Sequence, residues 1–303
     1  MKLYKGDCLI ESDKIESGSV DLILTDLPYG NMNTDGGRKL GINGWDLAIE
    51  PKKVYDIANR ILRKNGKMIL FSQEPYTTKL ITEAIPNIPF NYRATWEKDN
   101  FAVALGANVN MVSFTEDILV FSKKHDHEGL HPLRHYFKII MDYIGLNLKQ
   151  INTKLGHRRA EHTFYINSTQ YSLCTEKTYL ELIEVFKINE MNGFKTFAEL
   201  REIEFNYDSR FNLWEGKKYK SNILKYKKDY NGYHPTQKPV LLLEDLIKTF
   251  SNENNLVVDL TMGSGSTGVA CKNTNRDFTG IEMNDEYFKI AEQRINDTKY
   301  TLF

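Results

Sequence analysis

Two short strings, more than two hundred residues apart, carry the residue types in this chain that can do chemistry. The first is Thr25-Asp26-Leu27-Pro28-Tyr29-Gly30. It follows Val20-Asp21-Leu22-Ile23-Leu24, an apolar run that reads as a buried parallel strand. An acid, a proline and an aromatic ring therefore sit on the turn leaving the strand's carboxyl end, where open α/β sheets place their ligand sites. A carboxylate that accepts from an amino group, beside a tyrosine that stacks on a flat ring, suits the holding of a nucleobase taken out of its helix. The bland reading is a strand-ending turn in which Pro28 and Gly30 only break structure. Four residues alone do not separate the two.

The second string decides between them. Leu256-Val257-Val258-Asp259-Leu260-Thr261-Met262-Gly263-Ser264-Gly265-Ser266-Thr267-Gly268 reads as a buried strand, a glycine turn and the opening of a helix. Glycines let the backbone approach a ligand, and a helix start offers free N–H groups to an anionic one. A further short strand, Phe278-Thr279-Gly280-Ile281-Glu282, follows. Its acid lies about twenty residues past the turn, placed to accept from ribose hydroxyls. The string also satisfies G-x-G-x-x-G, so a nicotinamide site is one reading, though that pattern is weak alone. Asp259 counts against it. A carboxylate at the strand end faces a pyrophosphate badly and suits a cationic or amine-bearing ligand. S-adenosylmethionine, with its sulfonium and amine, is such a ligand.

Asp26-Leu27-Pro28-Tyr29 is close to the Asp-Pro-Pro-Tyr motif of DNA amino-methyltransferases. With the catalytic string first and the glycine string last, the chain resembles the beta, or permuted, class of these S-adenosylmethionine-dependent enzymes. Tyr4-Lys5-Gly6-Asp7 looks like the family's opening strand. Trp96-Glu97-Lys98 resembles a landmark near the flipped base, and His234-Pro235-Thr236-Gln237-Lys238-Pro239 the segment preceding the cofactor half. The resemblance covers nearly all of residues 1–122 and 230–303, and Leu27 within the motif also looks like methylases carried by bacteriophages.

This resemblance implies an α/β, Rossmann-like methyltransferase fold with a mostly parallel sheet and an inserted, mostly helical target-recognition region. It implies that the Asp26 carboxylate and the Leu27 carbonyl accept the two amino hydrogens of an extruded base, with Pro28 shaping the turn and Tyr29 stacking on the ring. It places the cofactor's methionine end at Gly263, Ser264, Gly265, Ser266 and Thr267 beside Asp259. Its ribose falls at Glu282, its adenine near Asp7, and its carboxylate against Lys238. An opening Asp leans toward adenine in the family and a Ser toward cytosine; cytosine amino-methylation is the first alternative. Leu27 keeps the carbonyl that the family's second residue contributes but lacks the fixed φ of proline, which bears on rate more than on reaction. Double-stranded DNA is the implied partner. A cognate restriction endonuclease and a second copy of the chain are candidate partners.

The chain divides into a catalytic half (1–122), an inserted helical region (123–229) and a cofactor half (230–303). In the first, residues 54–62 and 76–84 read as helices, and 67–71 and 117–121 as strands. The glycine- and asparagine-rich residues 30–46 read as a loop that could fold over an extruded base. Formal net charge is zero, but residues 123–229 hold nineteen Lys and Arg against fourteen Asp and Glu, with six of the seven histidines. Cys8, Cys174 and Cys271 form no C-x-x-C pair, so neither zinc site nor disulfide framework is indicated. None follows a proline, which counts against the cytosine-C5 mechanism. No signal peptide or long apolar run is seen, so a cytoplasmic protein without membrane contact is expected.

In the middle region, helices are expected over 131–144 and 179–186. Between them, residues 148–164 read as a short helix, a glycine turn and a basic second helix, a helix-turn-helix that would offer Arg158, Arg159, Glu161, His162 and Thr163 to a DNA groove. The bland alternative is an αα-hairpin with a solvated face. The lysine run at 217–228, including Lys217, Lys218 and Lys220, suits phosphate contacts; such runs are also ordinary solvated faces. His125, His127, His131 and His135 make no complete ligand set, and no metal is expected. A DNA-binding protein that has lost activity and a nicotinamide-dependent oxidoreductase complete the alternatives.

Overall fold

A computed structural model of the chain describes residues 1–29, 48–101, 108, 111–125, 131–168, 170–207, 211–213, 216, 218–230, 232–233 and 237–298. It divides into two compact units, Met1–Lys124 with Ser209–Phe303, and His125–Asp208. The expected loop over residues 30–46 lies outside the described residues.

The first unit is built on one sheet. Its described strands are β1 (Lys2–Lys5), β2 (Val20–Asp26), β3 (Leu62–Ser72), β4 (Phe90–Glu97), β5 (Thr115–Ser122), β6 (Ile223–Lys225), β7 (Leu256–Asp259) and β8 (Asp277–Glu282), in the order β1-β8-β7-β2-β3-β5-β4-β6. The expected mostly parallel Rossmann-like sheet is present. Neighbours run parallel except for β5, which is antiparallel to both β3 and β4.

The apolar runs are continuous because both faces of the sheet are covered. Ile23, Met68, Leu70, Leu119 and Phe121 face one core, packed by α2 (Pro51–Ile61) and α3 (Tyr76–Thr82). Leu22, Leu24, Ile69, Phe71, Ile118 and Val120 face the other, packed by α8 (Val240–Phe250), α9 (Ser266–Asn273) and α10 (Asp285–Asp297). Adjacent residues of each strand thus enter opposite cores, as the two-residue period of a pleat requires. Helix α2 opens with Pro51 at a position where a missing N–H costs nothing, and buries Val54, Tyr55, Ala58 and Ile61 at helical spacing.

Strand β2 lies between β3, which follows it in the chain, and β7, which enters from far downstream. This is a topological switch point, the place where a crevice opens at the strands' carboxyl ends. The β2–β7 ladder pairs only Leu22 with Val257 and Ile23 with Val258, and stops short of both carboxyl ends.

The second unit is helical: α4 (Pro132–Ile144), α5 (Leu148–Leu155), α6 (Glu176–Phe186) and α7 (Phe197–Tyr207) enclose a core of their own around Phe137, Ile140, Tyr179 and Leu182. Two expectations are corrected. The described residues among 211–229 group with the sheet, where β6 pairs with β4, a pairing too short to read from an alternation of three residues. The helix-turn-helix does not form. Gly156 ends α5 in the left-handed region, and the chain then makes i→i+3 bonds (Glu161 N–H to Arg158 O, Thr163 N–H to Ala160 O) and a 3₁₀ turn at Glu161–Phe164. Ala160, Thr163 and Phe164 are buried there, and that burial holds the segment in turns rather than an outward-facing recognition helix.

Candidate active site

At the carboxyl edge of the sheet the two strings meet. Side chains continue where the β2–β7 ladder stops. The Thr25 hydroxyl donates to Asp259 Oδ1 at 2.8 Å and lies 2.9 Å from the Thr261 hydroxyl, which itself donates to the Asp26 carbonyl at 2.8 Å. Thr267 Oγ1 donates to the other Asp259 oxygen at 2.6 Å, and the Thr261 N–H to Oδ1 at 3.1 Å. Asp259 is therefore a buried junction. It was expected to face a ligand's amine; instead three protein donors enclose it. Burial pushes its carboxyl up to about 6, with the hydroxyl and N–H donors opposing.

Around Asp26 the structure assembles a chain of charges. The Tyr29 hydroxyl donates to Asp26 Oδ1 at 2.5 Å and lies 3.2 Å from Glu116 Oε1. The Lys238 ammonium donates to Asp26 Oδ2 and stands 3.0 Å from Glu116 Oε1, while Lys98 holds Glu116 Oε2 at 2.7 Å. Lys98 and Glu116 are almost fully buried, and Lys98 also lies 4.9 Å from the centre of the Trp96 ring. Burial raises the Asp26 carboxyl above the usual range; Lys238 opposes this and Glu116 adds to it. Burial also pushes Glu116 upward, but Lys238 and Lys98 outweigh it and leave that carboxyl low. Burial lowers Lys238, and the two carboxylates outweigh it and hold the ammonium protonated.

Three expectations change here. Lys238, expected against a cofactor carboxylate, is ion-paired to Asp26 and Glu116. Tyr29, expected to offer its ring, engages Asp26 through its hydroxyl, with its ring 6.0 Å from that of Tyr76. Leu27 is buried in the core, so packing of its side chain anchors a turn that proline would have fixed through φ. Glu116 was not legible as a site residue. It opens the antiparallel strand β5, so the start of that strand lies where its neighbours end, and no spacing in the sequence announces it.

On the other side of the switch point, Gly265 takes φ +81°, and a Cβ there would lie 2.9 Å from the Ala291 backbone of α10. Arg294 holds the turn by donating to the Ser264 carbonyl at 2.6 Å and lying 2.9 Å from its hydroxyl. Glu282 accepts from the N–H of Gly263 at 2.9 Å and of Asn284 at 2.7 Å, leaving lone pairs on both oxygens. Asp7 follows β1, whose last residue Lys5 registers with Glu282; its carboxylate caps α1 (Cys8–Glu11) by accepting from the Leu9 N–H. Gln237 Nε2 is buried without a hydrogen-bond partner among the described residues, and its Oε1 lies 3.2 Å from Ser264 Oγ. An orphan donor beside a glycine turn, with acceptors at the two adjacent strand ends, fits an amino-acid carboxylate joined to a ribose, as in S-adenosylmethionine. Ser266 and Thr267 open α9 at that turn.

The expected DNA contacts are more dispersed. Arg158 pairs with Glu161 at 2.5 Å, and Arg159 with Glu181 at 2.8 Å; both side chains remain exposed. His162 is exposed, with Nδ1 3.1 Å from the Gln170 carbonyl. Lys220 points inward to buried Asp245, which removes it from a phosphate-binding face. Lys218 is exposed, and Lys217 lies outside the described residues. Lys225 pairs with Glu97 while staying exposed, and Lys228 donates to the Phe101 carbonyl. His131 caps α4 with Nδ1, and its ring lies 4.2 Å from that of Tyr207. Among the described residues no group of His, Cys, Asp or Glu is placed to hold a metal ion, and no helix is long and apolar enough to cross a membrane. His127 and His234-Pro235-Thr236 lie outside the described residues.

The fold and this site define a methyltransferase, and the comparisons with known proteins agree. The family model described as DNA methylase, of the N6/N4 type, matches residues 20–293, and the chain belongs to that family. It is 26% identical over 299 residues to the type II methyltransferase M2.LlaDCHI of Lactococcus lactis subsp. cremoris, covering 94% of this chain and 85% of the relative. It is also 26% identical over 299 residues to the DNA adenine methyltransferase YhdJ of Escherichia coli (strain K12), covering 97% and 82%. The solved M1.HpyAVI–SAM complex has the same fold, with a TM-score of 0.55 at 20% identity, covering 97% of this chain and 98% of that one. The chain is thus an S-adenosylmethionine-dependent DNA methyltransferase.

Proposed function

We propose that this methyltransferase acts on the N6 amino group of an adenine extruded from double-stranded DNA, with Asp26 as the acceptor of an amino hydrogen. The observation that carries the reading is the position of Asp26. It sits at the carboxyl end of β2, at the switch point, in a buried setting that raises its carboxyl and makes it a strong hydrogen-bond acceptor. Its backbone is tied through Thr261 to the glycine turn, which sets the acceptor and the cofactor turn in one frame. The Leu27 carbonyl takes the second amino hydrogen. Together the two acceptors draw the nitrogen lone pair out of ring conjugation. Bound S-adenosylmethionine supplies an activated methyl group. Orientation of the amine toward it is the protein's main contribution, and no covalent enzyme intermediate is required. Tyr29 leaves Asp26 and stacks on the base. Extrusion costs a few kcal/mol of unstacking and unpairing. The helical unit reads DNA through Arg158, Arg159 and His162, with Lys218 on backbone phosphate.

Adenine is favoured by the Asp that opens the motif and by the similarity to an adenine methyltransferase over nearly the whole chain. The test is nucleoside mass spectrometry on unmethylated DNA incubated with the purified protein and S-adenosylmethionine. N6-methyladenine is the expected product, and N4-methylcytosine would overturn the base assignment alone. Asp26→Ala is expected to abolish methylation with cofactor affinity retained; full activity in that variant would refute the scheme.

A further inference from the structure

We propose that Glu116 is a positioning residue for Asp26, the acceptor to which the Lys238 ammonium and the Tyr29 hydroxyl transfer when Asp26 turns to the target amino group. The proposal rests on Asp26 being the amine acceptor, as above. In the structure both Asp26 oxygens are taken, Oδ1 by Tyr29 at 2.5 Å and Oδ2 by Lys238. An incoming amine needs one of them. A buried donor that gives up its acceptor without finding another is costly, so the displaced partner requires a second site within reach. Both donors already have one, and it is the same atom. Glu116 Oε1 lies 3.0 Å from the Lys238 ammonium and 3.2 Å from the Tyr29 hydroxyl.

Glu116 is held fixed for this purpose. Its other oxygen is bonded to Lys98 at 2.7 Å, and Lys98 is itself enclosed, lying against the Trp96 ring. Trp96 registers directly opposite Glu116 across the β4–β5 ladder. The carboxylate therefore cannot swing toward its moving partners; they must come to it. Two acids and two ammonium groups also leave the cluster neutral, so Asp26 can be exposed to a substrate without an uncompensated charge appearing beside it.

Among the described residues, the groups acting on Asp26 come from four places: Tyr29 on its own turn, Glu116 on β5, Lys238 before α8 and Asp259 at the end of β7; Lys98, after β4, acts through Glu116. Removing the charge on Glu116 has two effects with different signatures. Lys238 loses the second carboxylate of this cluster, is drawn more strongly to Asp26 and competes with the amine, which slows turnover. Asp26 also loses a negative neighbour, which shifts its ionisation to lower pH.

The experiment measures kcat and KM for duplex DNA across pH for the wild type, Glu116→Gln, Glu116→Asp and Asp26→Ala, with calorimetric cofactor affinity and thermal unfolding on the same preparations. Glu116→Gln is expected to lower kcat about 10- to 100-fold, as for loss of reactive geometry, with KM and cofactor affinity little changed and the acid limb of kcat moved to lower pH. Glu116→Asp keeps the charge with a shorter reach. It is expected to restore part of the rate with the wild-type acid limb. If Glu116→Gln does not fold, Glu116→Asp decides: a several-fold lower kcat at unchanged KM supports the role, and a wild-type kcat overturns it. Wild-type kcat and acid limb in folded Glu116→Gln also overturn it. Asp26→Ala separates the two levels: an inactive Asp26→Ala beside an unaffected Glu116→Gln sinks only the role of Glu116, whereas an active Asp26→Ala, with no side-chain acceptor left, sinks the scheme on which it rests.

Discussion

Replacing Asp259 with Asn should change the pH dependence of stability by an amount that can be worked from its surroundings. Asp259 is buried where β7 meets the glycine turn, and burial raises its carboxyl from 3.8 to about 6 even though Thr267, Thr25 and the Thr261 N–H donate to it. A shift of roughly two units corresponds to about 3 kcal/mol. The folded-state value is raised, so the folded protein binds this proton more tightly than the unfolded chain. The associated stabilisation is complete below the unfolded value of 3.8 and is lost as pH rises through about 6. Asn carries no such proton. Its altered donor pattern adds a constant offset but no slope in pH. The unfolding free energy of Asp259→Asn minus that of the wild type should therefore grow by about 3 kcal/mol from about pH 4 to about pH 7. Urea unfolding followed by circular dichroism at several pH values gives that difference directly. Asp26, which adds to the upward shift, should flatten the curve when also neutralised. A difference that stays constant over this range, or falls as pH rises, would refute the reasoning, because the three donors would then outweigh burial.

Two further outcomes are expected. Gly265→Ala sets a Cβ 2.9 Å from the Ala291 backbone at φ +81°, so it should cost about 1–3 kcal/mol of stability and weaken cofactor binding by calorimetry; an unchanged melting temperature and affinity would show that the turn tolerates a side chain. Arg158→Ala with Arg159→Ala should reduce affinity for duplex DNA and the steepness of its salt dependence by up to about two phosphate contacts; unchanged binding and site choice would remove those arginines from the DNA-reading surface.

The strings around Asp26 and Gly263 were legible because each is local. Around Asp26 a strand runs straight into its turn, and around Gly263 strand, turn and helix start follow one another within about a dozen residues, so local backbone geometry dictates where each turn presents its side chains. The apolar runs of β2, β3 and β5 were legible for a related reason, since strands covered on both faces leave no polar residue to interrupt them. Helices α4 and α6 announced themselves by their apolar spacing. The helix-turn-helix misled because its pattern of charge and glycine is equally that of a helix ended by Gly156 and followed by bonded turns. What separates the two is the burial of Ala160, Thr163 and Phe164 in a core built from distant helices. The lysine run was plain in its composition, but the inward turn of Lys220 to buried Asp245 was not, because that partner comes from elsewhere in the chain.

The sequence by itself determined the motif around Asp26, the glycine turn and the parallel sheet that carries them, because each depends on residues adjacent in the chain or on strand and helix periods, and the likeness of the two motifs to those of DNA amino-methyltransferases pointed to the reaction class. Only the tertiary structure decided the electrostatics of the site. Lys98, Glu116, Lys238 and Asp26 arrive from four separate segments, and Glu116 reaches the active edge only because β5 runs against its neighbours. The energy of a charge depends on the distance and burial of every other charge near it, and those distances exist only once the sheet has closed around the switch point.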